Sequence, residues 1–278
     1  MALFSRDELG ELLEIEDRAD QLDWLSGRAA GRDVFILSCG PSLSEYSPED
    51  LNDLLRGHCV FAVKQAFALV PELTDIQILN TWNSQKYDYG IKRPFVVRET
   101  AAGDPPVFGE SDLNLTVSKP SSLSEQLARR QNFDDFTFAR TLQRPWGPGV
   151  LYEIAFYLAM HMGCRRIITL GWDVGVKNSA VMPHFYDRPD SARTRVLAEA
   201  ARMQTATERN RYLHDNGVLY NKPRIVPDEV EGCIKASEGW RVYLESRGIE
   251  IIVVSQNSLV SDKIRRDRLE NLVSDHAA

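Results

Sequence analysis

Apolar residues gather in short runs along the chain. Val34-Phe35-Ile36-Leu37, Cys59-Val60-Phe61-Ala62-Val63, Ile76-Gln77-Ile78-Leu79, Phe95-Val96-Val97, Ile167-Ile168-Thr169-Leu170 and Ile249 to Val254 are almost unbroken by polar positions. Runs of this length without polar alternation read as strands buried on both faces, as in a parallel sheet. A further strand is expected over 113–117. Between the runs the apolar period changes to that of a helix. Leu9, Leu12, Leu13, Ile15 and Leu22 predict a helix within 4–30, with Ser5 and Glu8 as a capping box. Leu151, Ile154, Ala155, Leu158, Ala159 and Met162 predict another, stopped by Gly163. Ser47-Pro48 opens a short helix, and 191–213, 232–247 and the charged stretch 263–272 also read as helical. Ser124 would cap a short helix in the mixed stretch after it.

Strands alternating with helices predict an α/β fold, Rossmann-like, with a mostly parallel sheet and helices on both faces. The division expected is an N-terminal helical appendage over 1–30, a single nucleotide-binding catalytic domain over 31–262, and a C-terminal helix and tail over 263–278. The Gly-, Pro- and Ser-rich stretch 100–122 reads as a long loop around the strand at 113–117.

Polar residues stand directly after the apolar runs, where open parallel sheets bind ligands. Gly40-Pro41-Ser42 follows the first run, Lys64-Gln65 the second, Asn80 and Asn83 the third, and Asn257-Ser258 the last. A strand, a tight Gly turn and a helix start make an anion site, because free N–H groups and the helix dipole point outward. Gly147-Pro148-Gly149 before a helix repeats that order, and a strand then leads to Gly171-Trp172-Asp173. Neither turn is a P-loop, since no Gly-Lys-Ser or Gly-Lys-Thr occurs. At each Asn the alternative is simple turn chemistry; Asp173 is open to a ribose, a metal, an acceptor group or a turn cap.

Composition narrows the function. With 43% hydrophobic and 26% charged residues the chain is ordinary for a globular protein, and its formal net charge of -7 disfavours nucleic acid as a partner. Cys39, Cys59, Cys164 and Cys233 form no C-x-x-C pair, so reduced thiols in a cytoplasmic protein are expected. The N-terminus lacks the pattern of a signal peptide, and no apolar run reaches the ~18 residues of a membrane span. Among five histidines, only His184 sits in a compact polar and aromatic cluster, Pro183-His184-Phe185-Tyr186-Asp187. A neutral imidazole there can act as a base, and Tyr186 can donate to a phosphate; an aromatic pair packing on the sheet edge is the alternative. Asp173 and Asp187 could hold Mg²⁺, although no Asp-x-Asp motif is present. No Gly-x-Ser-x-Gly elbow points to a serine hydrolase.

Three motifs in order carry a family resemblance: Gly40-Pro41-Ser42-Leu43; Gly147-Pro148-Gly149 with its helix and Gly171-Trp172-Asp173; and Ile249-Glu250-Ile251 through Asn257-Ser258-Leu259. Together they resemble the family 42 bacterial sialyltransferases, and also the related MptE-like pterin diphosphokinases, over about 33–262. The resemblance implies a GT-A-like variant of the Rossmann fold and transfer of an acidic sugar from a CMP-activated donor to a hydroxyl of a surface glycan or glycoprotein. It implies His184 as general base, Tyr186 as a phosphate partner, a donor lined by Gly40, Ser42, Asn80, Gly147 and Gly149 with Asn257 and Ser258 beside it, and no required metal or other cofactor. The departures are Cys39 where that family has Asn, Lys64-Gln65 where it has Asn, and Val174-Gly175 in place of an aromatic pair. The alternatives are a Mg²⁺-dependent, ATP-using diphosphokinase acting through Asp173, and a non-catalytic nucleotide-binding protein. Peripheral attachment at the inner membrane and self-association stay open.

Overall fold

The structure is a computed structural model. It describes residues 3–80, 83, 87–90, 92–101, 111–118, 132–147, 149–174, 185, 199, 202–203, 205, 208, 211–212 and 227–274. Eight strands form one sheet: β1 (Asp33–Leu37), β2 (Cys59–Val63), β3 (Ile76–Leu79), β4 (Phe95–Ala101), β5 (Leu113–Val117), β6 (Arg166–Leu170), β7 (Glu250–Val253) and β8 (Arg265–Arg266). Their order is β5-β4-β3-β2-β1-β6-β7-β8, and every pairing is parallel. The α/β, Rossmann-like fold expected from the runs is therefore present.

The runs lack alternation because both faces of the sheet are covered. Val34, Ile36, Phe61, Ile78, Val97, Leu115, Ile167 and Ile251 face one core, while Phe35, Leu37, Val60, Ile168, Leu170 and Ile252 face a second. The larger core receives Leu12 from α1 (Arg6–Glu14), and Leu22 and Leu25 from α2 (Arg18–Leu25). It also takes Trp240 and Leu244 of a long later helix. The smaller core is roofed by Leu43 and Leu51, the latter from α3 (Pro48–Leu54), together with Ala66, Leu269 and Leu272.

Several elements differ from the pattern-based expectation. The stretch 4–30 is two helices, because Asp17 accepts from the amides of Ala19 and Asp20 and starts a second helix. Both pack into the main core, and Gly27, Ala29 and Gly31 donate their amides to the carbonyls of His161, Met162 and Gly163. The Ser5–Glu8 capping box is formed in both directions. The helix after Gly149 opens as a π-turn over Leu151–Ala155 before the α-helix α4 (Phe156–His161). The next helix, α5, covers Pro227–Glu245 and starts earlier than its apolar period suggested. The stretch 263–272 is not one helix. Arg265 and Arg266 pair with β7, and Arg266 donates to the carbonyls of Ser258, Val260, Ser261 and Ile264, so α6 starts only at Leu269. The expected helix at Ser124, most of 191–213 and most of the loop before Pro227 lie outside the described residues.

Candidate functional site

From β1 the strand order runs outward through β2 to β5, then returns to the other flank of β1 with β6. The connections therefore diverge at the carboxyl ends of β1 and β6, and the crevice formed at such a reversal is where open α/β sheets take ligands. Gly40 and Asp173 stand at those two ends. The ladder continues past both strands, with Ser38 N–H donating to Leu170 and Gly40 N–H to the Gly171 carbonyl, each at 2.8 Å. A side chain on Gly40 would overlap the Gly171 carbonyl and the Asp173 carboxylate. Gly171, at φ +69, has its would-be Cβ 2.5 Å from the Ser38 carbonyl. Two glycines thus let the backbones cross at the head of the crevice.

The turn after β1 is a short 3₁₀ turn, Pro41–Glu45, with Gly40 as its cap. Its free N–H groups are not open to an outside anion. Asp173 is 3% exposed and accepts from the Ser42 amide at 2.8 Å and the Ser42 hydroxyl at 2.7 Å, one bond to each carboxylate oxygen. Backbone strain adjoins it, since the β-branched Val174 has φ 54. Ser258 is spent in the same corner, its hydroxyl donating to the Trp172 carbonyl at 2.5 Å, while the Leu259 amide donates to the Asp173 carbonyl. Asn257 is exposed.

The second Gly turn behaves alike. The Gly147 amide donates to the Glu153 carboxylate at 2.6 Å, and Glu153 lies on the π-turn, 2% exposed. Gly149 has φ +135, a conformation only glycine takes easily, and accepts the Tyr152 and Glu153 amides. Pro148 lies outside the described residues. Each predicted anion cradle therefore carries an acid of the chain itself. Glu153 also bonds to the side chain of Glu99, which β4 delivers to the same face as Val97. Burial, and then the Glu99 carboxyl beside it, push Glu153 well above the usual carboxylate range; Lys64 and the Gly147 amide offset this in part.

On the opposite face the remaining candidates meet one another. The Cys39 thiol approaches the Val63 carbonyl at 3.2 Å and the Gln65 amide oxygen at 3.8 Å. Lys64 is held at φ 51, and its carbonyl accepts from buried Gln77, whose own oxygen accepts from the Tyr89 hydroxyl. Asn83 exchanges hydrogen bonds with the Tyr87 hydroxyl and donates its amide to the Asn80 carbonyl. Both Asn80 and Asn83 offer their carbonyls to Arg98. Burial raises the Tyr87 phenol, keeping it neutral.

The crevice thus brings Gly40, Pro41, Ser42, Asp173 and Ser258 together, with Lys64 and Gln65 beside them; Asn80 and Asn83 lie further along the sheet, and Gly147 and Gly149 across it. His184 and Tyr186 lie outside the described residues. Their neighbour in sequence, Phe185, donates its amide to the Cys39 carbonyl at 2.9 Å and packs on the smaller core, so the chain returns to the β1 turn at that point. Among the described residues no three His, Cys, Asp or Glu side chains converge as metal ligands, and no helix is long and apolar enough to cross a membrane. Pattern reading passed over Arg98, Glu99 and Glu153. Their signal was there: a charged pair on the end of the Phe95-Val96-Val97 run, and one acid inside an otherwise apolar helix. It also missed Ser38 and Ser255, whose buried hydroxyls have no partner at the ends of β1 and β7. A scan against protein-family models finds no match for this chain, and a search of curated proteins finds none.

Proposed function

We propose that the chain is a glycosyltransferase of the bacterial sialyltransferase kind, working on a CMP-activated acidic sugar bound across the carboxyl ends of β1 and β6. The acceptor, a hydroxyl of a surface glycan or glycoprotein, attacks the anomeric carbon. The bond from that carbon to the CMP phosphate oxygen breaks, and His184 takes the hydroxyl proton. Tyr186 donates to the departing phosphate, on which negative charge develops in the transition state. The protein works in the cytoplasm, at or near the inner membrane face.

The observation that carries this reading is the reversal of strand order between β1 and β6, at Gly40 and Asp173. The tie from Phe185 to Cys39 supports it, since the segment bearing the candidate base is anchored at the same turn. In the Mg²⁺-dependent phosphotransferase alternative Asp173 would have to hold the ion with the acceptor capacity left after each of its oxygens accepts from Ser42.

A thermal-shift series with CMP, CDP, UDP, GDP and ATP tests the donor. A ligand that binds the folded state raises its midpoint by mass action. CMP is expected to raise it; a response to ATP with none to any cytidine nucleotide would turn the assignment to a phosphotransferase. With CMP bound, His184→Ala is expected to abolish transfer and leave CMP affinity nearly unchanged. Equal loss of both would make His184 a binding residue.

A further inference from the structure

Arg98 is a buried charge without a counter-charge. It is 2% exposed, in the middle of β4 and level with Leu79, the last residue of β3. Both of its hydrogen bonds leave from Nη1, to the Asn80 carbonyl at 3.4 Å and the Asn83 carbonyl at 3.1 Å. Its Nε is buried with no partner, and no carboxylate pairs with it among the described residues. Its electrostatic neighbours are the phenols of Tyr89 and Tyr87.

Arg144 is the other buried arginine among the described residues, and several less buried ones pair with carboxylates. Arg165 and Arg166 share Asp33, and Arg93 forks onto Asp112. Arg144 has no carboxylate, yet all three of its nitrogens donate to carbonyls, of Leu142, Phe136 and Thr141, and its guanidinium lies 4.0 Å over the Phe138 ring. Arg98 alone among these keeps an empty Nε–Nη2 edge, the edge that grips a carboxylate or phosphate with two parallel bonds. A guanidinium withdrawn from water without an anion is costly. Arg144 offsets that cost with a carbonyl for each nitrogen; at Arg98 an anion arriving from outside would fill the edge left open.

We infer that Arg98 anchors an oxyanion of the ligand, a phosphate or a carboxylate, on β4 beside the carboxyl end of β3. The phenols of Tyr89 and Tyr87 and the carbonyls of Asn80 and Asn83 form its polar surroundings. Three strand spacings, about 14 Å, separate β4 from β1, so one extended ligand can touch both Arg98 and the Gly40 turn. The two Gly turns expected to hold an anion carry Asp173 and Glu153 instead, which leaves Arg98, among the described residues, as a crevice cation with an open fork. For the identity of the oxyanion the inference rests on the nucleotide-sugar reading: it is either the donor phosphate or the sugar carboxylate.

The test is calorimetric titration of wild type, Arg98→Met and Arg98→Lys with inorganic phosphate, CMP and N-acetylneuraminate, alongside the unliganded melting midpoint. Arg98→Met is expected to weaken at least one of these anions by about tenfold or more, the loss of a bidentate charged pair, with the unliganded midpoint unchanged or raised. Arg98→Lys, which keeps the charge and loses the fork, falls between. If Arg98→Met does not fold, Arg98→Lys reads the same loss. Loss for CMP and phosphate marks a phosphate anchor; loss for the sugar alone marks a carboxylate anchor. Equal affinities in all three proteins, a lowered midpoint with anion binding intact, or no anion bound by wild type at millimolar concentration overturns the inference. CMP bound by wild type, with CMP, phosphate and the sugar all bound alike by wild type and Arg98→Met, would sink Arg98 and leave the nucleotide reading standing. Arg98-dependent phosphate binding without CMP binding would do the reverse.

Discussion

Asp173 illustrates how one residue can be placed correctly in a sequence and still hold an unexpected job. It caps the turn after β1 from the end of β6, so it ties the two strands whose divergence makes the crevice. Asp173→Asn replaces one acceptor oxygen with an amide that faces the donors of Ser42. An unmatched donor in a buried site costs about 1–3 kcal/mol, and a lower urea midpoint with an unchanged slope is the expected result. Gly40→Ala drives a methyl into the Gly171 carbonyl. Overpacking of this kind costs about 1–3 kcal/mol, and the same urea titration measures it. Full stability in Gly40→Ala would mean that the close crossing of the two backbones is not needed.

At the scale of elements, the π-turn over Leu151–Ala155 carries Glu153 into the interior, where it meets Gly147 and Glu99. Burial and the neighbouring Glu99 carboxyl raise the folded-state value of Glu153, so the folded chain binds a proton there more tightly than the unfolded chain does. Its stabilising contribution is complete below the ordinary glutamate range, near pH 4, and is lost as pH rises toward the raised folded value. Glu153→Gln keeps an acceptor for the Gly147 amide and removes the titration. The variant is expected to be more stable than wild type at pH 7–8, with the difference closing near pH 4; chemical denaturation across that range measures it. The N-terminal helices give a second test. Leu12 and Leu25 are fully buried against the sheet, so Leu12→Ala should cost about 2–5 kcal/mol, whereas a detached appendage would lose almost nothing.

These elements also show what was legible. The strands could be read because burial on both faces leaves a run of apolar residues, a signal local to each strand. The break between α1 and α2 was written in Asp17, but the apolar period carries on across it and masks it. The end of the chain misled for the opposite reason: Arg266 takes its conformation from carbonyls of a loop five to eight residues away, not from helical neighbours. In the site, Gly40, Ser42 and Asp173 were legible as strand-end residues, yet their mutual bonds span 131 positions and follow only from strand order. Arg98 and Glu153 each stand as a charge within or against an apolar run, a local signal that was passed over, while the partners that decide their roles lie far off in sequence or come from outside the strand.

For the molecule as a whole, one continuous sheet with a single reversal of order supplies one crevice, between β1 and β6. Asp173 and Glu153 take up the amides of Ser42 and Gly147 in the two Gly turns, while Arg98 keeps its fork open further along the sheet. The account stands on a nucleotide binding at that reversal, and amide hydrogen exchange with and without CMP measures it most directly. Bound CMP is expected to slow exchange in peptides covering 38–43 and 171–174, at the carboxyl ends of β1 and β6, with α1 and α2 unaffected. CMP that protects neither peptide, or protection confined to other parts of the chain, would contradict it.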